Sequence, residues 1–370
     1  MTGQSSSVTS MSEMMSGRPQ RQANIVGLGL IGGSIAKALT ARGWTVSATD
    51  RDPSRVSRAQ QLGIISSVGL VANATITFVA VPVLAVPNVV TEALAATTGF
   101  VTDVASVKAG VAAVVDDPRF VGGHPMAGSA QDGLDGADAD MFEGTVWVLT
   151  PTASTSDQAF ATVASVASEL GAEVVVLGPV RHDDVVAVVS HVPHLVAATL
   201  MNLADQRAEE HTALLRLAAG GFRDMTRVAA GHPAIWLDIC EQNRDAIVGV
   251  LDGLIAQLGA TRTVVAMGDR GTLESILSAA RHARTNLPSR VTNAELMAEV
   301  RVPIPDRPGA AAEVFSLAAD LSVNISDFEV FHSAEGGRGV LIAVIDASQS
   351  DLFRGGLLAR GFRPSVQALG

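Results

Sequence analysis

The chain has 370 residues, of which 48% are hydrophobic, a single cysteine and a formal net charge of −11. This length is too great for one ordinary core and predicts two or three domains, each with its own apolar interior. The acidic balance, without a cluster of Lys and Arg, argues against a nucleic-acid surface, so we expect a small organic ligand.

The N-terminal segment and the cysteine usage predict a soluble protein of the cytoplasm. Residues 1–22 are rich in Ser, Met and Gln without an apolar block, so we expect a disordered tail rather than a secretory signal. Cys240 cannot form an internal disulfide and lies in a segment with helical apolar spacing, which indicates a core residue in a reducing compartment. The uncharged stretch after Arg58 is interrupted by Pro82 and Pro87, which argues against a membrane span.

The first folded region, residues 23–178, alternates short Val- and Ile-rich runs with Ala- and Leu-rich stretches of helical spacing. This alternation predicts an α/β domain of the Rossmann type with a parallel, doubly wound sheet. The predicted strands are ANIVGLG, TVSATD, TITFVAVP, GFVTDV, RFVGGH, TVWVLTP and AEVVVLG.

In the second region, residues 179–293, the strand signals stop and long segments carry apolar residues at intervals of three and four. This spacing predicts an all-helical domain. Because its helices are apolar on more than one face, which a monomer could not cover, we expect a homodimer formed through this domain.

The third region, residues 294–370, changes pattern again. LMAEVRVPI, VNISDFEVF, GVLIAVIDA and FRPSVQAL read as strands, and AAAEVFSLAADL and DLFRGGLLAR read as helices. The order βαββαβ predicts a small α+β module of the ferredoxin-like kind.

The segment NIVGLGLIGGSIAKAL predicts a dinucleotide site. Gly27, Gly29 and Gly32 follow an apolar strand in the order G-x-G-x-x-G and open a helix. The first glycine allows a tight turn, the second lets the backbone approach a pyrophosphate, and the third permits close helix packing. We expect Leu30 and Ile31, at the start of the helix, to contact the same group.

The residue at the end of the second strand favours NAD over NADP. Asp50 follows Gly32 by 18 residues, where a carboxylate can accept hydrogen bonds from ribose hydroxyls and repel a 2′-phosphate. Arg51 could accept that phosphate if Asp50 turned away. Val81, near the end of the third predicted strand, completes the expected cofactor contacts.

His124, in FVGGHPMAGSAQDG, follows a predicted strand and precedes a proline, so we expect it in a loop at the carboxyl edge of the sheet. Ligands bind at that edge in such folds. A single loop histidine is often only a surface or hydrogen-bonded residue, so the residues around it decide between that reading and catalysis.

Five segments, in this order, resemble the prephenate and arogenate dehydrogenases: GLGLIGGS, VTDVASVK, GGHPMAGS, HDDVVAVVSHVPH and GGFRDMTRVAAGHPAIW. The resemblance covers residues 23–290. The C-terminal module, opened by IPDRPGAAAEVF, resembles an ACT domain, a common carrier of regulation by amino acids.

The resemblance implies an NAD-dependent oxidative decarboxylation in tyrosine biosynthesis. A hydride leaves the ring carbon that bears the hydroxyl, the hydroxyl loses its proton, and the ring carboxylate departs as CO₂ to give a phenol. His124 matches the family histidine that hydrogen-bonds this hydroxyl and can take its proton. Ser106 matches the serine between that histidine, the hydroxyl and the nicotinamide; its alternative role, shared with Asp103, is to cap a helix.

Arg227 matches the family arginine that holds a substrate carboxylate, a task suited to a forked guanidinium. Arg223 lies four residues earlier, so spacing alone permits either. An ion pair of Arg227 with Asp224 or Asp238 is the structural alternative. Ser129, in GGHPMAGS, is a further expected substrate contact.

His194 and Trp236 match a histidine near the substrate's pyruvyl side chain and an aromatic wall of the same pocket, and His182 is expected to order the site from outside. The substrate should then lie in a cleft between the first two regions. His191 and His194 could also hold a metal with His182 or Asp183, but the reaction requires no Lewis acid, so we expect no metal.

Three other functions fit parts of the pattern. Arogenate dehydrogenase differs only in a substrate amine, and SHVPHL offers no acid to receive an ammonium, which favours prephenate. A β-hydroxyacid dehydrogenase has similar domains, but the lysine motif of its helical domain is not found. A sensor that binds NAD and an amino acid without turnover would not need His124, Ser106 and Arg227 together.

The terminal module suggests feedback regulation. Gly309 in DRPG and Asn324 in SVNISD lie where ACT domains form an amino-acid pocket between modules. From this resemblance we expect tyrosine to be an effector that inhibits the enzyme.

Overall fold

The computed structural model describes residues 21–129, 131, 133–208, 220–285, 296–305, 307–332 and 338–368. They form two compact units. The first runs to Val196 and includes Ala229–Leu254, and the second comprises Ala197–Val228 and the residues from Ile255 onward.

The first strand begins at Gln22, so the predicted tail is wrong at its last residue; its residues 1–20 lie outside the described part of the chain. Arg21 explains this start. Its guanidinium forms two hydrogen bonds of 2.6 and 2.8 Å with the carboxylate of Glu169 and lies 4.6 Å from the centre of the Trp44 ring. These contacts fix the chain just before the strand.

The first unit is built on an eight-stranded sheet in the order β3-β2-β1-β4-β5-β6-β7-β8. Its strands β1 to β6 are parallel, as predicted, and each pairs with the neighbour expected for a doubly wound fold. The bounds are β1 Gln22–Val26, β2 Thr45–Thr49, β3 Ser67–Val68, β4 Ile76–Val79, β5 Phe100–Asp103, β6 Phe120–Pro125, β7 Val146–Thr150 and β8 Glu173–Val176.

The prediction of a wholly parallel sheet is wrong at its far edge. β7 pairs antiparallel with β6, and β8 pairs parallel with β7. A parallel neighbour needs a crossover that returns the chain to the starting end. The described residues between Pro125 and Val146 form only turns, without a crossover helix, so the chain reverses directly into β7. β3, with two residues, was too short to predict.

Helices cover the sheet and close an apolar core. Trp147 on β7 is fully buried, with its ring centroid 5.1 Å from that of Phe142 and 6.3 Å from that of Phe78 on β4. The helices are α1 Leu30–Ala41, α2 Pro53–Gln61, α3 Val86–Ala96, α4 Ala109–Val114 and α5 Asp157–Glu169.

Between Gly178 and Thr285 the described residues form helices joined by short turns and no strand, as predicted. A π-helical turn, Ala187–His191, joins the first two of its helices. The helices are α6 Pro179–Val186, α7 Val192–Ala208, α8 Gly220–Thr226, α9 Pro233–Gln242, α10 Arg244–Met267 and α11 Arg270–Thr285.

Two helical stretches, Pro179–Arg207 and Arg244–Met267, are long and apolar enough to cross a membrane by length and composition alone. Core helices of soluble proteins pass the same test, so this is weak evidence for a span. Exposed apolar side chains on these stretches include Val188, Val189 and Leu258. Part of this surface therefore has no partner among the described residues of one chain.

The C-terminal module has the predicted order βαββαβ, with an antiparallel sheet arranged β10-β11-β9-β12. It has its own core, in which Val300, Leu341 and Phe353 are fully buried. Its elements are β9 Met297–Pro305, α12 Ala310–Asp320, β10 Ile325–His332, β11 Arg338–Asp346, α13 Ser350–Ala359 and β12 Ser365–Ala368.

The turn from β1 to α1 depends on two glycines. Gly27 has φ +97°, and a Cβ there would lie 2.2 Å from the carbonyl oxygen of Ala80. A Cβ on Gly32 would lie 1.9 Å from the carbonyl oxygen of Gly27. Neither backbone atom can move without disturbing the sheet, so both positions exclude every other residue.

Substitution Gly27→Ala should lower the free energy of unfolding by about 2 to 4 kcal/mol, because it adds left-handed strain and a clash with backbone. Denaturant unfolding measures the loss. Gly178→Ala is the matched control: Gly178 has φ −68°, and a Cβ there meets no atom within 4 Å. Equal stabilities for the two variants would contradict this account of the turn.

Candidate active site

The glycine turn forms a cradle suited to a phosphate group. A Cβ on Gly29 would meet no protein atom within 4 Å, so the space beside the second glycine is open. Gly29 is also the N-cap of α1, and no side chain caps this helix. The free first-turn amides of Leu30 and Ile31 suit the negative charge of a pyrophosphate. These residues therefore fit a dinucleotide.

Asp50 braces the turn. One carboxylate oxygen accepts from the amide of Leu28 at 2.7 Å, and the other accepts from the amide of Asp52 at 2.8 Å. Asp50 therefore faces the glycine turn and does not turn away, whereas Arg51 is exposed. Half-buried Val81 lies beside Gly27. The structure thus brings together the residues predicted for the cofactor.

A chain of hydrogen bonds runs from a buried carboxylate to His124. Asp183 Oδ1 lies 2.7 Å from His182 Nδ1, and His182 Nε2 lies 2.8 Å from His124 Nδ1. His182 is fully buried. His124 is half-buried and lies within β6 rather than in the loop expected after that strand, because its backbone pairs with Val148 on β7. His182, expected to act from outside, is therefore a direct partner of His124.

The electrostatic surroundings keep His124 neutral. Burial lowers the pKa of His124 well below its ordinary value, and the electrostatic influence of the neighbouring basic side chains of His182, Lys108 and His191 lowers this pKa further. A neutral imidazole has one free lone pair, which is the form that a base requires.

A second buried carboxylate fixes the loops on either side of the site. Asp103, at the end of β5, accepts from the amide of Ala105 at 3.0 Å and from the amide of Gly123 at 3.3 Å. It also pairs with the ammonium group of Lys108, and both side chains are fully buried. Since these amides directly precede Ser106 and His124, Asp103 sets the backbone at both predicted catalytic residues.

Ser106 is half-buried in the loop between β5 and α4. The capping alternative for Ser106 and Asp103 is wrong, because α4 begins at Ala109 and its N-cap is Lys108, without a capping bond from its own side chain. Asp183 accepts from the first amides of this helix instead. Ser106 is therefore left for another role.

The structure stacks His194 on Trp236, with ring centroids 3.6 Å apart and an interplanar angle of 14°. His191 Nδ1 lies 3.1 Å from the side-chain amide of Asn243. Burial lowers the pKa of His191 to about 4, partly opposed by the Asp183 carboxylate. Within the part of the chain that the structure describes, no three acidic, histidine or cysteine side chains converge as metal ligands would.

The remaining predicted contacts lie at exposed positions. Ser129 is exposed, and its hydroxyl accepts from the amide of Gln131 at 3.1 Å. Arg227, in the second unit, is exposed and is the first residue of a short 3-10 helix, Arg227–Ala230; Arg223 in the same unit is exposed too. Among the described residues of that unit, the ion pair of Arg227 with Asp224 is not formed.

Sequence reasoning assigned no role in this site to four buried residues that carry it: Asp103, which it considered only as a helix cap, Lys108, Asp183 and Asn243. A signal was present for two of them, because TDVASVK places an acid and a lysine in an otherwise apolar segment, where an unpaired charge would be costly. Asp183 was considered only as a metal ligand. The partner of each charge lies far along the chain or in a loop, so spacing could not identify it.

Comparison with known proteins places this arrangement in a family. Residues 35–176 match the model described as prephenate dehydrogenase, nucleotide-binding domain, and residues 178–279 match prephenate dehydrogenase, dimerization domain. The C-terminal module lies outside both models.

Three relatives illustrate the similarity. The prephenate dehydrogenase of Bacillus subtilis is 34% identical over 339 residues, which are 86% of this chain and 90% of that one. The structure of A. aeolicus prephenate dehydrogenase with hydroxyphenyl propionate and NAD+ has a TM-score of 0.68 and 28% identity, over 74% of this chain and 100% of that one. The Synechocystis arogenate dehydrogenase has a TM-score of 0.63 and 30% identity, over 71% and 98%.

These matches confirm the family that the five segments predicted. They also confirm the prediction that the chain is an NAD-dependent oxidoreductase. The chain belongs to the prephenate dehydrogenase family.

Proposed function

We propose that this protein is the NAD-dependent dehydrogenase of prephenate, which it converts to 4-hydroxyphenylpyruvate and CO₂. The observation that carries the proposal is the chain Asp183, His182, His124, which ends in a neutral imidazole at the carboxyl edge of the sheet. Oxidation of a ring alcohol needs such a base, and a binding module without turnover does not.

The cofactor fits the β1–α1 turn. The amides of Leu30 and Ile31 would hold the pyrophosphate, and Asp50 keeps the turn in place. NAD supplies a hydride acceptor when it is bound. The residues of the chain hold the substrate in position and accept the proton of its ring hydroxyl.

His124 takes the proton of the ring hydroxyl at Nε2, because its Nδ1 is engaged with His182. Ser106, on the loop held by Asp103, would hydrogen-bond the same hydroxyl and orient it towards His124. As the ring carboxylate departs as CO₂, the electron pair of the broken bond makes the ring aromatic with a phenolate oxygen, and His124 returns the proton to that oxygen to give the phenol.

A rate measurement tests the function. With purified protein, NADH formation at 340 nm should be fastest with prephenate and NAD, and kcat/KM should be lower with arogenate or with NADP. The carboxylate of Asp50 beside the turn disfavours the 2′-phosphate of NADP. The segment SHVPHL contains no acidic residue to bind the ammonium group of arogenate. Preference for arogenate would overturn the substrate assignment alone, and activity with neither would favour a sensor.

The pH dependence follows from the lowered pKa of His124. Because the neutral form persists below the ordinary histidine value of about 6.5, kcat/KM should stay level from pH 8 to about 6.5 and fall only at lower pH. His124→Asn should lower kcat by about a hundredfold or more at every pH, since the base is gone. An acid limb centred above pH 7, or an unchanged kcat in the variant, would contradict the role of His124.

We also propose that Arg227 binds a carboxylate of prephenate. Arg227→Lys should raise KM about 10- to 100-fold through loss of the forked pair of hydrogen bonds. Arg223→Lys is the matched control, because this residue lies one helical turn earlier and is exposed as well. If Arg223→Lys raises KM and Arg227→Lys does not, the two roles must be exchanged.

The exposed apolar helices support a proposed homodimer. Pro179–Arg207 and most of Arg244–Met267 have much uncovered surface, and both lie in the part that matches a dimerization domain. A second copy could cover these faces, so we propose a dimer in the cytoplasm rather than a membrane protein. Light scattering that reports a monomer would contradict it.

For the C-terminal module we propose an ACT-type role with tyrosine as inhibitor. Support comes from its ferredoxin-like topology, from Gly309 with φ +88° at the start of α12, and from exposed Asn324 before β10. Tyrosine should lower the rate of the full-length enzyme, and Asn324→Ala should weaken this inhibition about tenfold. A rate indifferent to tyrosine would refute the effector.

A further inference from the structure

Asp183 stands out because its carboxylate serves two parts of the fold at once. Oδ1 accepts from the amide of Lys108 at 2.8 Å and bonds His182 Nδ1 at 2.7 Å, while Oδ2 accepts from the amide of Ala109 at 2.7 Å. Its side chain is almost fully buried. The next residue, Asp184, is exposed.

The backbone of Asp183 is anchored as well. The side-chain amide of Asn243, on the residue after α9, donates to the carbonyl oxygen of Asp183 at 2.8 Å. Asn243 is itself buried and lies 3.1 Å from His191 Nδ1. The carboxylate therefore has little freedom to rotate away from His182.

This geometry determines where the protons of two histidines lie. An ionised carboxylate can only accept, so His182 must carry its proton on Nδ1. The Nε2 of a neutral His182 then has only a lone pair, and His124 must donate to it from Nδ1. The lone pair of His124 is consequently on Nε2, the nitrogen that does not face His182.

We propose that Asp183 is the positioning residue of the site: through His182 it fixes the tautomer of His124 and thereby leaves Nε2 of His124 free to accept the substrate proton. This inference rests on the proposed dehydrogenase function and names a residue for it. Because the same carboxylate holds the amides that follow Ser106, it also ties the serine loop to the histidine chain.

The alternative orientation shows what Asp183 prevents. Without the carboxylate, His182 can carry its proton on Nε2 and donate to His124, whose lone pair then faces His182 and whose Nε2 carries hydrogen. A protonated His182 would do the same. The groups that face this pair are Asp183, Lys108 and His191, and Lys108 is already paired with Asp103.

The first test compares Asp183→Asn with Asp184→Asn, which removes the neighbouring exposed carboxylate. Asp183→Asn should lower kcat about 100- to 10,000-fold, the scale seen when a catalytic histidine is held in the wrong tautomer. KM for NAD should stay within about twofold. Asp184→Asn should match the original enzyme, and equal kcat for both variants would overturn the proposal.

A second pair of variants covers the case in which Asp183→Asn does not fold. His182→Gln can donate to Asp183 and accept from His124, so it should retain kcat within about tenfold. His182→Leu offers no acceptor and should lose about a hundredfold or more. Equal rates for these two variants would overturn the step through His182.

Nitrogen-15 NMR of the imidazoles separates this inference from the function itself. In the unaltered protein near pH 7.5, His182 and His124 should both carry hydrogen on Nδ1, and His124 should change tautomer in Asp183→Asn. Hydrogen on Nε2 of His124 in the unaltered protein would overturn the proposal. The NMR measurement does not require turnover. Failure to oxidise prephenate would therefore overturn the proposed function, whereas the tautomers of His182 and His124 would still be tested by NMR.

Discussion

The structure depends on charges that are buried and fully paired. A carboxylate or ammonium group removed from water costs several kcal/mol unless hydrogen bonds or an opposite charge replace the lost hydration. Asp103 and Lys108 meet this condition with each other and with two backbone amides, and Asp183 meets it with two amides and an imidazole. Each charge therefore holds backbone from distant segments in one arrangement.

The order and direction of the strands place these groups at one edge of the sheet. Asp103 ends β5 and His124 lies near the end of the adjacent parallel strand β6, so both reach the same edge. The reversal after β6 brings Trp147 under this edge and fills the core there. The glycine turn after β1 lies at the same edge, so the residues that fit a dinucleotide and His124 share one edge of the sheet.

Much of this arrangement could be predicted from the sequence. The alternation of strands and helices, the glycine turn and the βαββαβ order are local patterns, and the structure has them. The direction of β7 was wrong because it depends on the path of a turn-rich connection without a regular pattern. Asp183 and Asn243 were missed because their partners are fixed by tertiary packing, which spacing along the chain does not reveal.

The central claim is that His124 accepts the hydroxyl proton at Nε2. A crystal structure of the protein with NAD and a phenol-bearing analogue of the product tests it most directly. The account predicts the phenolic oxygen within about 3.2 Å of His124 Nε2, with the bond from His124 Nδ1 to His182 intact. A phenolic oxygen held by another residue, with His124 Nε2 turned away from the ring, would contradict it.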